Sequence, residues 1–210
     1  MRWIPLILLA GSLAVAQTPE PFLSETPVRS FPPTVLKANL DYLAEIETSK
    51  GRILVDLYEQ QTPITVNSFV YLSLNRYFEG LRFHRIVPGF VAQVGDPKSA
   101  NPALRNEWGT GGPGYNFGLE VNPRLNYDKA GVLGMARGSS PTSNGSQFFI
   151  TFGPTPNLNQ QYTIFGQVLE GMEVVRKLQN TEQDGKPLTL TPEQYDRIIR
   201  VTILTRPRTP

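Results

Sequence analysis

The sequence predicts a mainly β fold, an antiparallel barrel with few helices, and three observations carry that expectation. Short apolar runs rich in β-branched and aromatic residues recur along the chain: "GRILVDL", "GVLGMA", "SQFFITF", "YTIFGQVL" and "DRIIRVTIL". Only two stretches, "QTPITVNSFVYLSLNRY" and "GMEVVRKLQ", space their apolar residues as helices do. The composition, 40% hydrophobic and 18% charged over 210 residues, is that of a globular chain long enough to bury one self-sufficient core.

The elements follow in order. Arg2 and the apolar run "WIPLILLAGSLAVA" come first; at about 14 residues the run is shorter than the ~20 needed to span a bilayer. It ends in Ala14-Val15-Ala16, an A-x-A site. Residues 1–16 therefore read as a signal peptide cleaved before Gln17, and the protein as exported, periplasmic or secreted, with no stable membrane insertion after cleavage. The alternative is an uncleaved N-terminal anchor. Residues 17–34 hold Pro19, Pro21, Pro27, Pro32 and Pro33 and read as a Pro-rich linker. Phe22 and Phe31 would anchor it if it were a strap packed on the domain.

The domain is placed at 35–206. "AEIETSKGRILVDLY" is a hairpin about Ser49-Lys50-Gly51, with Ile53, Val55 and Leu57 alternating on the second strand. In the first helix Thr62 is an N-cap candidate, Pro63 suits the first helical position, and Val66, Phe69, Val70, Ser73 and Leu74 share a face. Gly80 ends that region. "RFHRIVPGFVAQVGD" is strand, Pro88-Gly89 turn, strand. Pro97 to Asn116 is a long loop. The later runs are strands, and "GMEVVRKLQ" is a short helix with Met172, Val175 and Leu178 inward. No internal repeat is present.

Several function classes are excluded. A net charge of +2 is too small to argue for nucleic acid or an anionic membrane surface. Without cysteine there is no disulfide framework, zinc ribbon or thiol nucleophile. His84 is the single histidine, so a His-rich metal site is out, and no G-x-S-x-G elbow supports a hydrolase. The glycines of the long loop lack G-x-x-x-x-G-K-[ST], so they shape backbone rather than hold phosphate. Asn144-Gly145-Ser146 reads as a turn before a strand rather than a used glycosylation site, and His84 as a satisfied structural histidine.

Arg85 is the residue that asks for an explanation. It stands in an apolar strand, where an unpaired guanidinium is costly. Alternation places it on one face with Phe83 and Val87, while Val91 and Gln93 share a face on the next strand. If those faces coincide, Gln93 can hydrogen-bond the guanidinium and hold it. One oriented cation in an apolar hollow, with no acid–base partner nearby in sequence, suits a reaction without proton transfer or covalent intermediate.

"FHRIVPGFVAQVGD", "GTGGPGY", "GVLGMAR", "NGSQFFIT" and "YTIFGQVLEGMEVV" resemble the cyclophilins, the peptidyl-prolyl cis-trans isomerases. The blocks occur in the family's order from about Ala44 to Leu178, and the last strand fits too. The resemblance implies a closed eight-stranded antiparallel β-barrel capped by two α-helices, with the site on its outer face. It implies that Arg85 is catalytic and that Gln93 supports it. Phe90, Val91, Phe149 and Leu158 match the pocket for the proline ring. Ala136 and Arg137 match the segment whose backbone pairs with the peptide, Gln147 lies beside it, and Tyr162 joins the substrate-binding set. Having both Phe90 and Val91 at one site requires an irregularity after Pro88-Gly89. The implied partners are proline-containing peptides and unfolded or folding proteins; no cofactor is implied.

Departures from the family pattern are Val91 where methionine is common, Arg137 for asparagine, Asn157 for tryptophan and Tyr162 for histidine. The tryptophan's replacement implies only weak cyclosporin binding. Pro97–Trp108 and Thr181–Tyr195 are longer than usual, and the resemblance gives them no role. The sequence alone leaves two rivals to an isomerase that assists folding of exported proteins. One is a proline-peptide binding or chaperone module with incidental turnover; the weaker one is a structural or small-ligand barrel.

Overall fold

The computed structural model describes residues 30–208 and the backbone of Ala14–Val15. The expected cleavage site and most of the leader and linker lie outside the described residues. Eight strands make the body: β1 (Leu40–Thr48), β2 (Gly51–Leu57), β3 (Arg85–Val87), β4 (Val91–Val94), β5 (Val132–Met135), β6 (Phe148–Thr151), β7 (Ile164–Glu170) and β8 (Ile198–Pro207). They pair antiparallel in the order β8-β1-β2-β7-β5-β6-β4-β3, with Ala14–Val15 added outside β8 opposite Leu204 and Thr205.

The expected closed ladder is not what forms: no strand pair joins β3 to β8. The two edges instead meet through the isolated bridge Arg82↔Arg197 and three backbone bonds. Phe83 N donates to Asp196 O (2.9 Å), Ile198 N to Leu81 O (2.9 Å) and Gly80 N to Ile198 O (2.8 Å). The chain ahead of β3 is too irregular to extend the ladder, so the seam is a short patch of bonds. The same irregularity turns Phe83 into the main core, away from the face that carries Arg85, contrary to simple alternation.

The hairpin of β1 and β2 has the expected register, Thr48↔Gly51, and Ile53, Val55 and Leu57 point inward as alternation requires. The first helix, α1 (Pro63–Leu74), buries Val66, Phe69, Val70 and Ser73. Its cap differs from expectation. Thr62 makes no capping bond; its hydroxyl faces the Tyr58 and Ile164 carbonyls, each at 3.3 Å. The Glu120 carboxylate caps the helix from a distant loop, accepting from Ile64 N (3.1 Å) and Thr65 N (2.7 Å). An anion there also complements the positive end of the helix. The second helix, α2 (Met172–Val175), is one turn long, and Leu178 beyond it is buried.

Two apolar clusters result. The main core gathers Phe69, Phe78, Phe148 and Phe165, with Phe148 edge-on to Phe69 at 5.4 Å. On β6 successive side chains point to opposite faces, so Phe148 and Ile150 enter this core while Phe149 points away. Phe149 joins Val91, Tyr127, Val132, Leu158 and Ile164 in a second cluster. Burying each large side chain contributes roughly 1.5–3 kcal/mol. The second cluster is the platform of the candidate site. Phe31 packs edge-on against Tyr115 and Phe117, each at 5.6 Å.

Candidate active site

β3 and β4 form a hairpin whose register opposes Arg85 to Gln93 and Val87 to Val91, without a bulge. The irregularity needed for Phe90 is the turn itself. Phe90 N donates to Val87 O (3.0 Å) and Gly89 has φ +73°, a conformation open to glycine, so Phe90 stands outside the ladder and beside Val91. Both residues then line one hollow of about 110 Å³. Phe149, Leu158 and Tyr162 complete its apolar wall, and Arg85, Gln93, Ala136 and Arg137 stand on its rim. Gln147 lies in the adjoining groove of about 350 Å³, which Ala136 and Arg137 also line. The structure therefore brings together all the residues singled out in the sequence.

Their partners are not all the expected ones. Gln93 does not hydrogen-bond Arg85. Its amide donates to Gln147 Oε1 (2.9 Å), and Gln147 Nε2 donates to the carbonyls of Gly109 (3.0 Å) and Gly111 (2.8 Å). Gln93 thus ties the site to the long loop. Arg85 is not a lone cation either. Its Nε donates to Glu182 Oε1 (3.1 Å), and its guanidinium lies 5.9 Å from the centre of the Phe90 ring.

The segment at Ala136–Arg137 is held firmly. Met135 N donates to Thr163 O (2.9 Å) and Ala136 N to Gln147 O (2.8 Å). Arg137 stacks over Tyr162 at 5.0 Å and donates from Nε to Gln161 O (2.9 Å). Its guanidinium is therefore engaged by the Gln161–Tyr162 segment and by the carbonyls of Gly138 and Ser139. Asn157 is exposed beside Leu158, and its carbonyl accepts from Gln161 Nε2 (3.0 Å).

His84 differs from expectation. Both ring nitrogens are buried without a hydrogen-bond partner among the described residues, and burial holds its pKa below the ordinary histidine value. Burial thus favours its neutral form. Asn144 is fully buried and bridged to Phe117, so the sequon forms packed backbone. Among the described residues no group of three or more His, Cys, Asp or Glu could hold a metal ion.

Sequence reasoning missed Glu182, Gly109, Gly111 and the buried Asp96 that positions those glycines. Asp96 accepts from Lys98 N (2.8 Å), Gly109 N and Gly111 N (3.2 Å). The available signal was the glycine pair itself, which marks a place where backbone must come close to something.

An oriented guanidinium beside a small apolar hollow, with a peptide-binding edge alongside, can grip a five-membered ring and offer hydrogen bonds to a neighbouring atom. Comparison with known proteins points the same way. Residues 43–203 match the family model described as cyclophilin type peptidyl-prolyl cis-trans isomerase/CLD. The peptidyl-prolyl cis-trans isomerase CYP18-2 of Arabidopsis thaliana is 38% identical over 159 residues, covering 76% of this chain and 92% of that protein. The peptidyl-prolyl cis-trans isomerase A of Mycobacterium tuberculosis is 37% identical over 172 residues, covering 74% and 90%. Among solved structures, a Cryptosporidium parvum cyclophilin type isomerase, crystallised in the presence of the dipeptide Ala-Pro, superimposes with a TM-score of 0.65. It is 35% identical, with 77% of this chain and 98% of that chain covered.

Proposed function

This chain belongs to the cyclophilin family and is a peptidyl-prolyl cis-trans isomerase; from that premise we propose that Arg85 acts on the prolyl nitrogen of an X-Pro bond whose ring sits in the Phe90–Val91–Phe149–Leu158 hollow. The observation that carries the reading is the position of Arg85 on the rim of that hollow, its Nε tied back and its guanidinium over Phe90. The Ala-Pro dipeptide used with the Cryptosporidium parvum relative supports a proline ring as the occupant.

The chemistry follows from the amide. Resonance gives the X-Pro bond a rotational barrier of ~18–20 kcal/mol. As the bond twists, the prolyl nitrogen recovers its lone pair and becomes an acceptor that the planar substrate lacks. A fixed guanidinium aimed there stabilises the twisted state more than the ground state, which is what lowers a barrier. One charge-assisted hydrogen bond supplies roughly 1.5–3 kcal/mol. An acceleration of about 10⁵-fold requires about 7 kcal/mol, so the rest must come from the Ala136–Arg137 edge, which holds the flanking peptide twisted while the hollow anchors the ring. No proton moves and no covalent bond forms. Peptide on either side of the proline lies along the groove lined by Ala136, Arg137 and Gln147.

The test is the isomerisation rate of a proline tetrapeptide. Arg85→Ala should lower kcat/KM by at least about 10-fold, the equivalent of the lost bond, with the fold intact. Arg85→Lys should also be poor, because a point charge lacks the planar fork. Unchanged activity in a folded Arg85→Ala variant overturns the mechanism.

The client class follows from the leader. Its short apolar run and A-x-A site support export, with clients that fold outside the cytoplasm. Mass spectrometry of protein from its native host should find Gln17 as the first residue; an intact Met1 terminus contradicts export by cleavage.

A further inference from the structure

The arginine of the site is held by a residue from the Thr181–Tyr195 insertion. Glu182 Oε1 accepts from Arg85 Nε at 3.1 Å, with the two side chains 23% and 40% exposed. Among the described residues the side-chain hydrogen bond of Arg85 goes to Glu182. We infer that Glu182 is a positioning residue for the isomerisation, fixing the Arg85 guanidinium in the free enzyme; the inference rests on Arg85 acting at the prolyl nitrogen.

Three features of the structure support this. The carboxylate is placed by backbone and not by its own reach. Thr181, buried and next to Glu182, is docked on β3: its N–H donates to Ile86 O (3.0 Å), and its hydroxyl accepts from Ile86 N (2.7 Å). Ile86 is the neighbour of Arg85, so the insertion is registered on the strand that carries the arginine. Leu188 N then donates to Thr181 O (2.8 Å), and Glu182–Gln183 pairs with Lys186–Pro187, which closes a short ribbon behind the carboxylate.

The second feature is which atom is used. A bond at Nε sets the plane of the guanidinium and leaves both terminal amino groups uncommitted. The reacting nitrogen therefore need not displace Glu182. The third is that Gln93, opposite Arg85 on β4, makes no hydrogen bond to the guanidinium; its amide N–H is turned to Gln147. Without Glu182 a partly exposed arginine side chain is free to leave the rim, and it must be ordered again at each turnover.

The experiment measures kcat and KM of the full chain on a proline tetrapeptide. Glu182→Ala should lower kcat by about 2- to 5-fold, as loss of one partly exposed ion pair predicts, with KM changed less than about twofold. Glu182→Gln keeps an acceptor of the same reach and should restore most of the rate. In an Arg85→Ala background, Glu182→Ala should cause no further loss, because its effect passes through the arginine. Three results overturn the inference while leaving the role of Arg85 intact. They are an unchanged kcat in Glu182→Ala, a raised one, or an equal loss with and without Arg85. A full rate in Arg85→Ala alone overturns the role of Arg85 and this inference with it.

Discussion

Asp96→Ala is expected to lower the stability of the domain by about 2–4 kcal/mol and to loosen the site with it. Asp96 is fully buried, and its carboxylate accepts from the backbone N–H groups of Lys98, Gly109 and Gly111. Hydrogen bonds to a charged acceptor contribute roughly 1.5–3 kcal/mol each; the glycines are partly open to water, which recovers some of that loss. For a domain of this size the melting temperature should fall by about 4–16 °C. Gly111 is part of the device, since a Cβ there would collide with the Asp96 carboxylate. The carbonyls of Gly109 and Gly111 hold Gln147, which holds Gln93. Below the melting range kcat/KM should therefore fall several-fold as well. Asp96→Asn keeps the shape and one acceptor oxygen, and its loss should be smaller. Thermal melts followed by circular dichroism check this: an alanine variant melting within a degree or two of the parent means the loop is held by its other contacts.

That anchor shows where the sequence was legible and where it was not. Patterns set by neighbours along the chain could be read: the alternation of β2, the buried face of α1, and a hairpin turning at Pro88-Gly89, though not its register, which opposes Arg85 to Gln93. The apolar wall of the hollow followed from the family resemblance. What could not be read is which polar group a side chain chooses among several within reach. Gln93 bonds Gln147, 54 positions away, and Arg85 bonds Glu182, 97 positions away. The same holds for the helix cap, where Glu120 lies 55 positions from Thr65. Thr62 was a fair local candidate, but a carboxylate brought by the fold outcompeted its hydroxyl. The ladder's seam failed to follow the expected closed form for a related reason. Strand propensity does not reveal that the chain before β3 bends to bury Phe83.

Gly134→Ala should damage the proline hollow from behind, raising KM more than it lowers kcat. Gly134 lies in β5 opposite Phe149, and a Cβ at that position would fall inside contact distance of the Phe149 ring edge and the Tyr127 hydroxyl oxygen. Neither ring can yield away from the hollow. Tyr127 is fully buried and stacked on Phe149 at 5.8 Å with an interplanar angle of 26°. Tyr162 closes the other approach to Phe149 edge-on, also at 5.8 Å. The displaced Phe149 ring must then move toward the hollow of about 110 Å³ that it lines. Overpacking of this kind costs typically 1–3 kcal/mol, so kcat/KM should fall by about 5- to 150-fold if the strain is felt on substrate binding. The hollow grips the ring in the planar and the twisted states alike, which is why the loss should appear mainly in KM. Arg85→Ala should do the opposite, lowering kcat. Gly134→Val, larger and β-branched, should be worse than alanine. Tyr127→Phe removes one of the two obstructing atoms, so adding it to Gly134→Ala should recover part of the loss. Full activity and an unchanged melting temperature in Gly134→Ala would show that Phe149 can move aside without narrowing the hollow, and that the glycine is there for some other reason than space.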